Sequence, residues 1–339
     1  MKIVNNKNIL LAVPSDFEIN IRIQNELKKM GFKVYLYHYE FTWKVPLKHI
    51  IIHNYYKIFK RDRSYKTNIR PIVNKKREKK YQKKFLDLPQ LDYSLIIRPD
   101  NYPIDFLEQI NNKSKVTAVY QWDGMNRFPE VKKIVDIFDR FFIFDKNDLK
   151  EFPSSIPLTN FYFEEEVLPK TEQDIFFIGS YLPERMDLIN TIAKRFNEIG
   201  FNSNINILCP HKEILNRKDE YHFNLIETAY TFKENHKNIL KSNYILDLAN
   251  PIHNGLSFRT FESLGYRKKL ITNNILVKEY DFYHPDNIFI FEDNKMTGLE
   301  AFIKKPYKEL SPEIYEKYSF SNWIKYVLNI SPFIQINLP

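Results

Sequence analysis

Cysteine and glycine are scarce in this chain of 339 residues: Cys209 stands alone, and there are only seven glycines. A single cysteine excludes a disulfide framework and a cysteine-built zinc site, and it suits a reducing compartment. No Gly-x-Gly-x-x-Gly follows the first strand of either half, which argues against NAD, and no Gly-x-Ser-x-Gly elbow offers a hydrolase nucleophile. No apolar run approaches the length that spans a bilayer. The start, Met1 to Lys7, is polar and no small-residue cleavage site follows, so no signal peptide is expected. Solenoid repeats, low-complexity tracts and metal-ligand clusters are also missing.

Positive charge is plentiful but confined. Between Lys57 and Lys84 thirteen Lys/Arg meet only Asp62 and Glu78, a local balance of +11 against +9 for the whole chain, so the remainder carries −2. One basic segment on a near-neutral body does not coat nucleic acid generally, and no RRM, KH or zinc pattern accompanies it. Ile51, Ile52, Tyr55, Tyr56 and Phe59 overlap its start, so a helical insertion at about 50–84 suits an anionic membrane surface; a solvated helix face is the alternative.

The length suits two domains. Asn8 to Val13 reads as a buried parallel strand, followed by a turn at Pro14-Ser15-Asp16, a helix over about 18–30, Gly31, and a strand at Lys33 to Tyr37. The same β-α-β unit returns as a strand at Asp174 to Ile178, a Gly179-Ser180-Tyr181 turn, a helix over about 184–199, Gly200, and a strand at Ile205 to Leu208. Gly31 and Gly200 take the same place in the two copies, which is the place of a helix-ending glycine. Two Rossmann-like halves in an α/β chain are the simplest account. Strands at 93–97, 117–120 and 141–144 continue the first half, with polar ends at Arg98-Pro99-Asp100, Gln121-Trp122-Asp123-Gly124 and Asp145-Lys146-Asn147-Asp148. Strands near 244–248, 269–272 and 288–291 continue the second. Ligands of open α/β sheets sit at carboxyl strand ends, so these turns are the candidate site.

The stretch from Asn250 to Gly265 is the centre of that site. A strand, a polar glycine turn and a helix start form an anion cradle, because the first backbone N–H groups of a helix lack internal partners. Ser257 is the expected N-cap and Gly265 the expected C′ residue. Arg259 falls in the first turn, where the helix dipole disfavours a cation unless an anion is bound; an ordinary surface pair with Glu262 is the alternative.

The twin halves, the run Gly255 to Gly265 and the following Lys268-Lys269-Leu270-Ile271-Thr272-Asn273-Asn274 resemble GT-B glycosyltransferases, and more narrowly the bacterial enzymes of capsule and lipopolysaccharide synthesis. Trp122-Asp123, Phe144-Asp145-Lys146 and Phe177 to Tyr181 are similar as well. The resemblance implies two Rossmann-like domains facing a central cleft. Residues 1–165 would hold the acceptor, residues 166–311 the nucleotide sugar, and helices in 312–339 would cross back to the first domain. It implies no metal or other cofactor. It also implies that Glu262 bonds the nucleotide ribose. Retaining members carry a second glutamate where this chain has Asn254, which can bond a sugar hydroxyl but supplies no charge, so the stereochemistry stays open.

Arg259 and Arg185 are the cations expected at the diphosphate, with Gly179, Ser180, His211, His253, Gly255, Leu256, Ser257 and Thr260 around the donor. Asp123 is the first choice of general base, ahead of Asp16, Asp100 and Asp145. Ser15, Asp16, Arg98, Asp100 and Trp122 lie on the expected acceptor side. The activity implied is glycosyl transfer to a surface polysaccharide or lipid-linked saccharide, in the cytoplasm at the inner membrane face. A polyol-phosphate transferase, a nucleotide-sugar epimerase and a non-catalytic nucleotide- or glycan-binding protein are the alternatives.

Overall fold

The computed structural model describes residues 3–14, 18–37, 46–60, 65, 69, 82–165, 167, 169–249, 254–293 and 295–339. Ser15, Asp16, His253 and most of the basic run therefore lie outside the described residues. Among the described residues the strands form two six-stranded parallel sheets. The first contains β1 (Asn8–Ala12), β2 (Lys33–Tyr37), β3 (Leu91–Ile97), β4 (Ser114–Gln121), β5 (Arg140–Ile143) and β6 (Ile156–Pro157) in the order β2-β1-β3-β4-β5-β6. The second contains β7 (Gln173–Ser180), β8 (Ser203–Leu208), β9 (Asn224–Ile226), β10 (Ser242–Asp247), β11 (Lys269–Thr272) and β12 (Ile288–Ile290) in the order β12-β11-β10-β7-β8-β9. Contacts divide the chain into two compact units: Met1–Asp16, Asn20–Val119 and Ile137–Asp139 in one, and Phe17–Ile19, Tyr120–Asp136 and Arg140–Pro339 in the other.

The strands are those a doubly covered parallel sheet requires. Ile9, Leu10, Leu11 and Ala12 of β1 are all buried, as are Lys269 to Thr272 of β11. Continuous burial, rather than alternation, follows when helices cover both faces. The helix Ile19–Lys29 buries Ile23 and Leu27, and the helix Pro183–Glu198 buries Met186, Ile189, Ile192, Ala193 and Phe196. Each large aliphatic or aromatic side chain so buried contributes at most about 1.5–3 kcal/mol. Both helices lead into a glycine in the left-handed region, Gly31 at φ 100° and Gly200 at φ 77°. The two equivalent glycines of the sequence therefore have one conformational cause.

The C-terminal helices Pro312–Lys317 and Phe320–Val327 pack within the second unit. Trp323 is fully buried; its indole donates to the Thr159 carbonyl at 3.0 Å and its ring meets Tyr120 and Phe161. Arg140 of β5 donates to the Tyr326 and Val327 carbonyls, both at 3.0 Å. The tail is thus bonded to β5, within the second unit. Tyr162 is tied to the same tail, since its N–H donates to Tyr318 and its carbonyl accepts from Phe320.

Four local readings change. Gly265 is the last residue of the helix Phe258–Gly265, not its left-handed terminator; Arg267 holds that conformation at φ 51°. A Cβ at 265 would collide with the Tyr162 ring, so close packing is the reason for this glycine. Ser257 occupies the N-cap position but its hydroxyl makes no capping bond. Gly179 and Ser180 are not a turn: they extend β7 and pair with Ile207 and Leu208. Asp145 opens a helix, Lys146–Glu151, whose Asn147 N–H it accepts at 2.8 Å.

Candidate active site

In the second sheet the chain runs outward from β7 to β9 and then returns to lay β10 beside β7. That reversal opens a crevice at the carboxyl strand ends, where doubly wound sheets bind their ligands. A pocket of about 300 Å³ occupies this position. Phe177 of β7, Asp247 at the end of β10, the following Leu248 and Ala249, and Gly255, Leu256, Ser257 and Arg259 at the mouth of the helix Phe258–Gly265 line it. Arg185, Asn274, Trp122, Phe144 and Asn160 complete the wall. All of these residues belong to the second unit.

Charge in the pocket is unbalanced toward positive. The Arg259 guanidinium donates to the Ile178 carbonyl, lies 3.6 Å from Asp247 Oδ1, and stacks over Phe177 with 5.2 Å to the ring centre. Arg185 donates to the Leu248 carbonyl at 3.2 Å. Burial, and then repulsion from Arg259, hold the Arg185 guanidinium below its usual range, while Asp247 opposes them. Two guanidiniums therefore share one carboxylate, and an anion between them would relieve both burial and repulsion. The Ser257 hydroxyl is buried and unbonded at the helix start. The dipole and free N–H groups of that first turn add to the attraction for an anion.

The expected residues divide into groups. Arg185, Arg259, Gly255, Leu256, Ser257 and Trp122 come together in the pocket wall. Thr260 is buried behind it, its hydroxyl 3.5 Å from Asp247 Oδ2. Glu262 is 1% exposed and lies deeper, with His236 Nδ1 4.0 Å away. Asn254 donates to Asp145 Oδ2 at 3.2 Å, and Asp123 pairs with Arg127 at 3.6 Å. Neither Asn254 nor Asp123 lines the pocket, and the same holds for Gly179, Ser180 and His211. His211 is exposed, with its ring against Tyr181. Arg98 and Asp100 lie in the first unit, joined by two bonds of 2.7 and 2.6 Å.

Asp247, Leu248, Ala249, Asn274, Asn160, Phe144 and Phe177 are the pocket residues that the sequence did not mark as a site. Asn274 donates to the Gly255 carbonyl at 3.0 Å and Asn160 to the Leu256 carbonyl at 3.1 Å, so two amides fix the glycine turn. Gly255 itself has no room for a Cβ, which would strike the Phe144 ring. A polar residue closing an apolar strand, as Asp247 closes β10, was the available signal.

No protein-family model matches the chain, and no curated protein matches it in sequence. Solved structures do. An α-glucosyltransferase in complex with UDP and a 13-mer DNA containing an HMU base superposes with a TM-score of 0.54 at 13% identity, covering 88% of this chain and 90% of that one. The fold is GT-B. An α,α-trehalose-phosphate synthase (UDP-forming) from Burkholderia vietnamiensis has a TM-score of 0.48 at 9% identity, over 89% of this chain and 92% of that one. A UDP-GlcNAc 2-epimerase from Methanocaldococcus jannaschii has a TM-score of 0.46 at 12% identity, over 90% and 95%. Among the described residues, the pocket at the second sheet's switch point sets two guanidiniums beside one carboxylate and a helix start.

Proposed function

We propose that the chain is a glycosyltransferase that moves a sugar from a nucleotide-sugar donor to a saccharide acceptor. The observation that carries this reading is the pair Arg185 and Arg259 beside a helix start in a partly buried pocket. As an acceptor oxygen attacks the anomeric carbon, the bond to the diphosphate breaks and its electron pair leaves on the phosphate oxygen. In this reading the Arg185 and Arg259 guanidiniums turn to that oxygen and stabilise the developing charge. Gly255, Leu256 and Ser257 form the turn around the diphosphate, and Gly179, Ser180, His211, His253 and Thr260 are its further surroundings in this reading. Glu262 accepts from the ribose hydroxyls, Asn254 bonds the sugar, and Asp123 takes the acceptor proton.

The acceptor in this reading is a surface polysaccharide or a lipid-linked saccharide, as in capsule and lipopolysaccharide synthesis, reached from an anionic membrane surface. The local +11 of residues 57–84 and the exposed Leu47, Ile51 and Tyr55 on the helix Leu47–Phe59 support that surface. Among the described residues no helix is long and apolar enough to cross a membrane.

Thermal melts with UDP, GDP, CDP and dTDP and their sugars test the reading. One base should raise the melting temperature by several degrees at saturating ligand, and product analysis should show a sugar joined to an added acceptor. No shift with any nucleotide refutes donor binding; a donor converted to its epimer without acceptor refutes transfer.

A further inference from the structure

Among the described residues one carboxylate stands in the pocket wall, and half of it is left over. It belongs to Asp247, which closes β10 and is 1% exposed. Its Oδ2 accepts from the Thr260 hydroxyl at 3.5 Å. Its Oδ1 makes no hydrogen bond, and Arg259 Nη1 covers it at 3.6 Å. The backbone that carries this oxygen is fixed. The Leu248 carbonyl accepts from Arg185 at 3.2 Å, and the Ala249 N–H donates to Asn273 Oδ1 at 2.7 Å. The acceptor is thus held in place, while the cation over it sits at the end of a long, partly exposed side chain.

A diphosphate entering the pocket draws the Arg259 guanidinium away from Asp247 and uncovers Oδ1. A carboxylate oxygen left bare beside a second anion opposes binding unless a donor reaches it. A bare diphosphate brings oxygens and no such donor. A sugar joined to the diphosphate brings several. The closest is the hydroxyl next to the anomeric carbon, on the carbon adjacent to the one bearing the phosphate; the nearest ribose hydroxyl is one carbon further from its own phosphate. We propose that Asp247 is a specificity-determining residue, whose Oδ1 accepts that sugar hydroxyl and whose charge disfavours the same nucleotide without the sugar. This rests on the reading of the pocket as the seat of a nucleotide sugar's diphosphate. It gives the carboxylate between two arginines a purpose: it lowers their hold on any anion and restores it for an anion that carries a hydroxyl. After transfer, the departing nucleotide lacks the hydroxyl and faces the carboxylate directly, so the same residue hastens product release.

Calorimetry on the full chain decides this. The probes are UDP-glucose, GDP-mannose, dTDP-glucose and CDP-glucose, the four bare diphosphates, and the 2-deoxy-2-fluoro analogue of the nucleotide sugar that binds best. In the unchanged chain that analogue, which has no hydroxyl to donate, should bind about tenfold more weakly than its parent. Asp247→Asn keeps the side chain's shape and removes its charge. It should bind the bare diphosphate several-fold more tightly, and it should cut the parent's advantage over the analogue to about twofold. An analogue as strong as its parent in the unchanged chain overturns the proposal without recourse to any variant. A variant in which parent, analogue and bare diphosphate all weaken by one common factor also overturns it, since that is the mark of a merely structural aspartate. Either result, with nucleotide sugars still bound, removes Asp247 from the site and leaves the donor reading standing. If none of the nucleotides binds, the donor reading fails and the role of Asp247 falls with it.

Discussion

Each sheet ends a central strand with an arginine beside an aspartate, and the two ends behave differently. After β3, Arg98 and Asp100 close on each other through a two-pronged bond inside their own turn. After β10, Asp247 is shared: Arg259 approaches it at 3.6 Å, and Arg185 stands close enough for the two guanidiniums to repel. The first arrangement cancels its charge locally, while the second retains a positive excess beside a helix start. An arginine at a strand end is therefore weak evidence for an anion site until the carboxylates within reach have been counted.

The largest test of this contrast is a matched pair of substitutions. Arg259→Ala should weaken nucleoside diphosphate binding by about 10- to 100-fold, on the order of 1.5–3 kcal/mol for charge-assisted bonds. Arg98→Ala should leave the same affinity within about twofold. Calorimetry of both variants checks this, and an equal loss in the two would break the distinction. A smaller effect comes from Asp247→Asn, which leaves two guanidiniums without their carboxylate. Inorganic pyrophosphate should then bind several-fold more tightly at low salt, with the gain shrinking as salt screens it. Tighter binding from Asp100→Asn instead would reverse the assignment.

The smallest effect is on stability. The Glu262 carboxyl is raised above its ordinary 4.5, with burial the leading cause. A raised carboxyl favours the fold fully below that ordinary value, and the contribution is lost as pH rises through the folded-state value. Urea melts of Glu262→Gln should therefore compare better with the unchanged chain at pH 8 than at pH 4. A constant difference across that range would mean that Glu262 keeps its ordinary pKa.

Much of the fold was legible because its signals are local. Apolar strand runs, helical spacing and the twin Gly31 and Gly200 positions all depend on residues near one another in the chain. Arg259, Arg185 and the Gly255-Leu256-Ser257 turn could be read for the same reason. Asp247 could not: its meaning comes from β10 lying beside β7, which puts it next to Arg259 and the carbonyl end of Ile178. Asn160 and Asn274 act on carbonyls 96 and 19 residues away in sequence, so spacing gives no hint of them. Gly265 illustrates the opposite error, where a residue type with a familiar helix-ending role is present for space that a distant ring fills.

That ring has a mechanical meaning. Tyr162 sits where a side chain of the arginine-bearing helix would otherwise be, and its own backbone is pinned on both sides by Tyr318 and Phe320. The helix is keyed to the tail like a tenon in a mortise. A methyl group added at position 265 would therefore wedge apart three segments at once, and a defect outside the pocket wall would be felt by the guanidinium about 1.7 turns upstream.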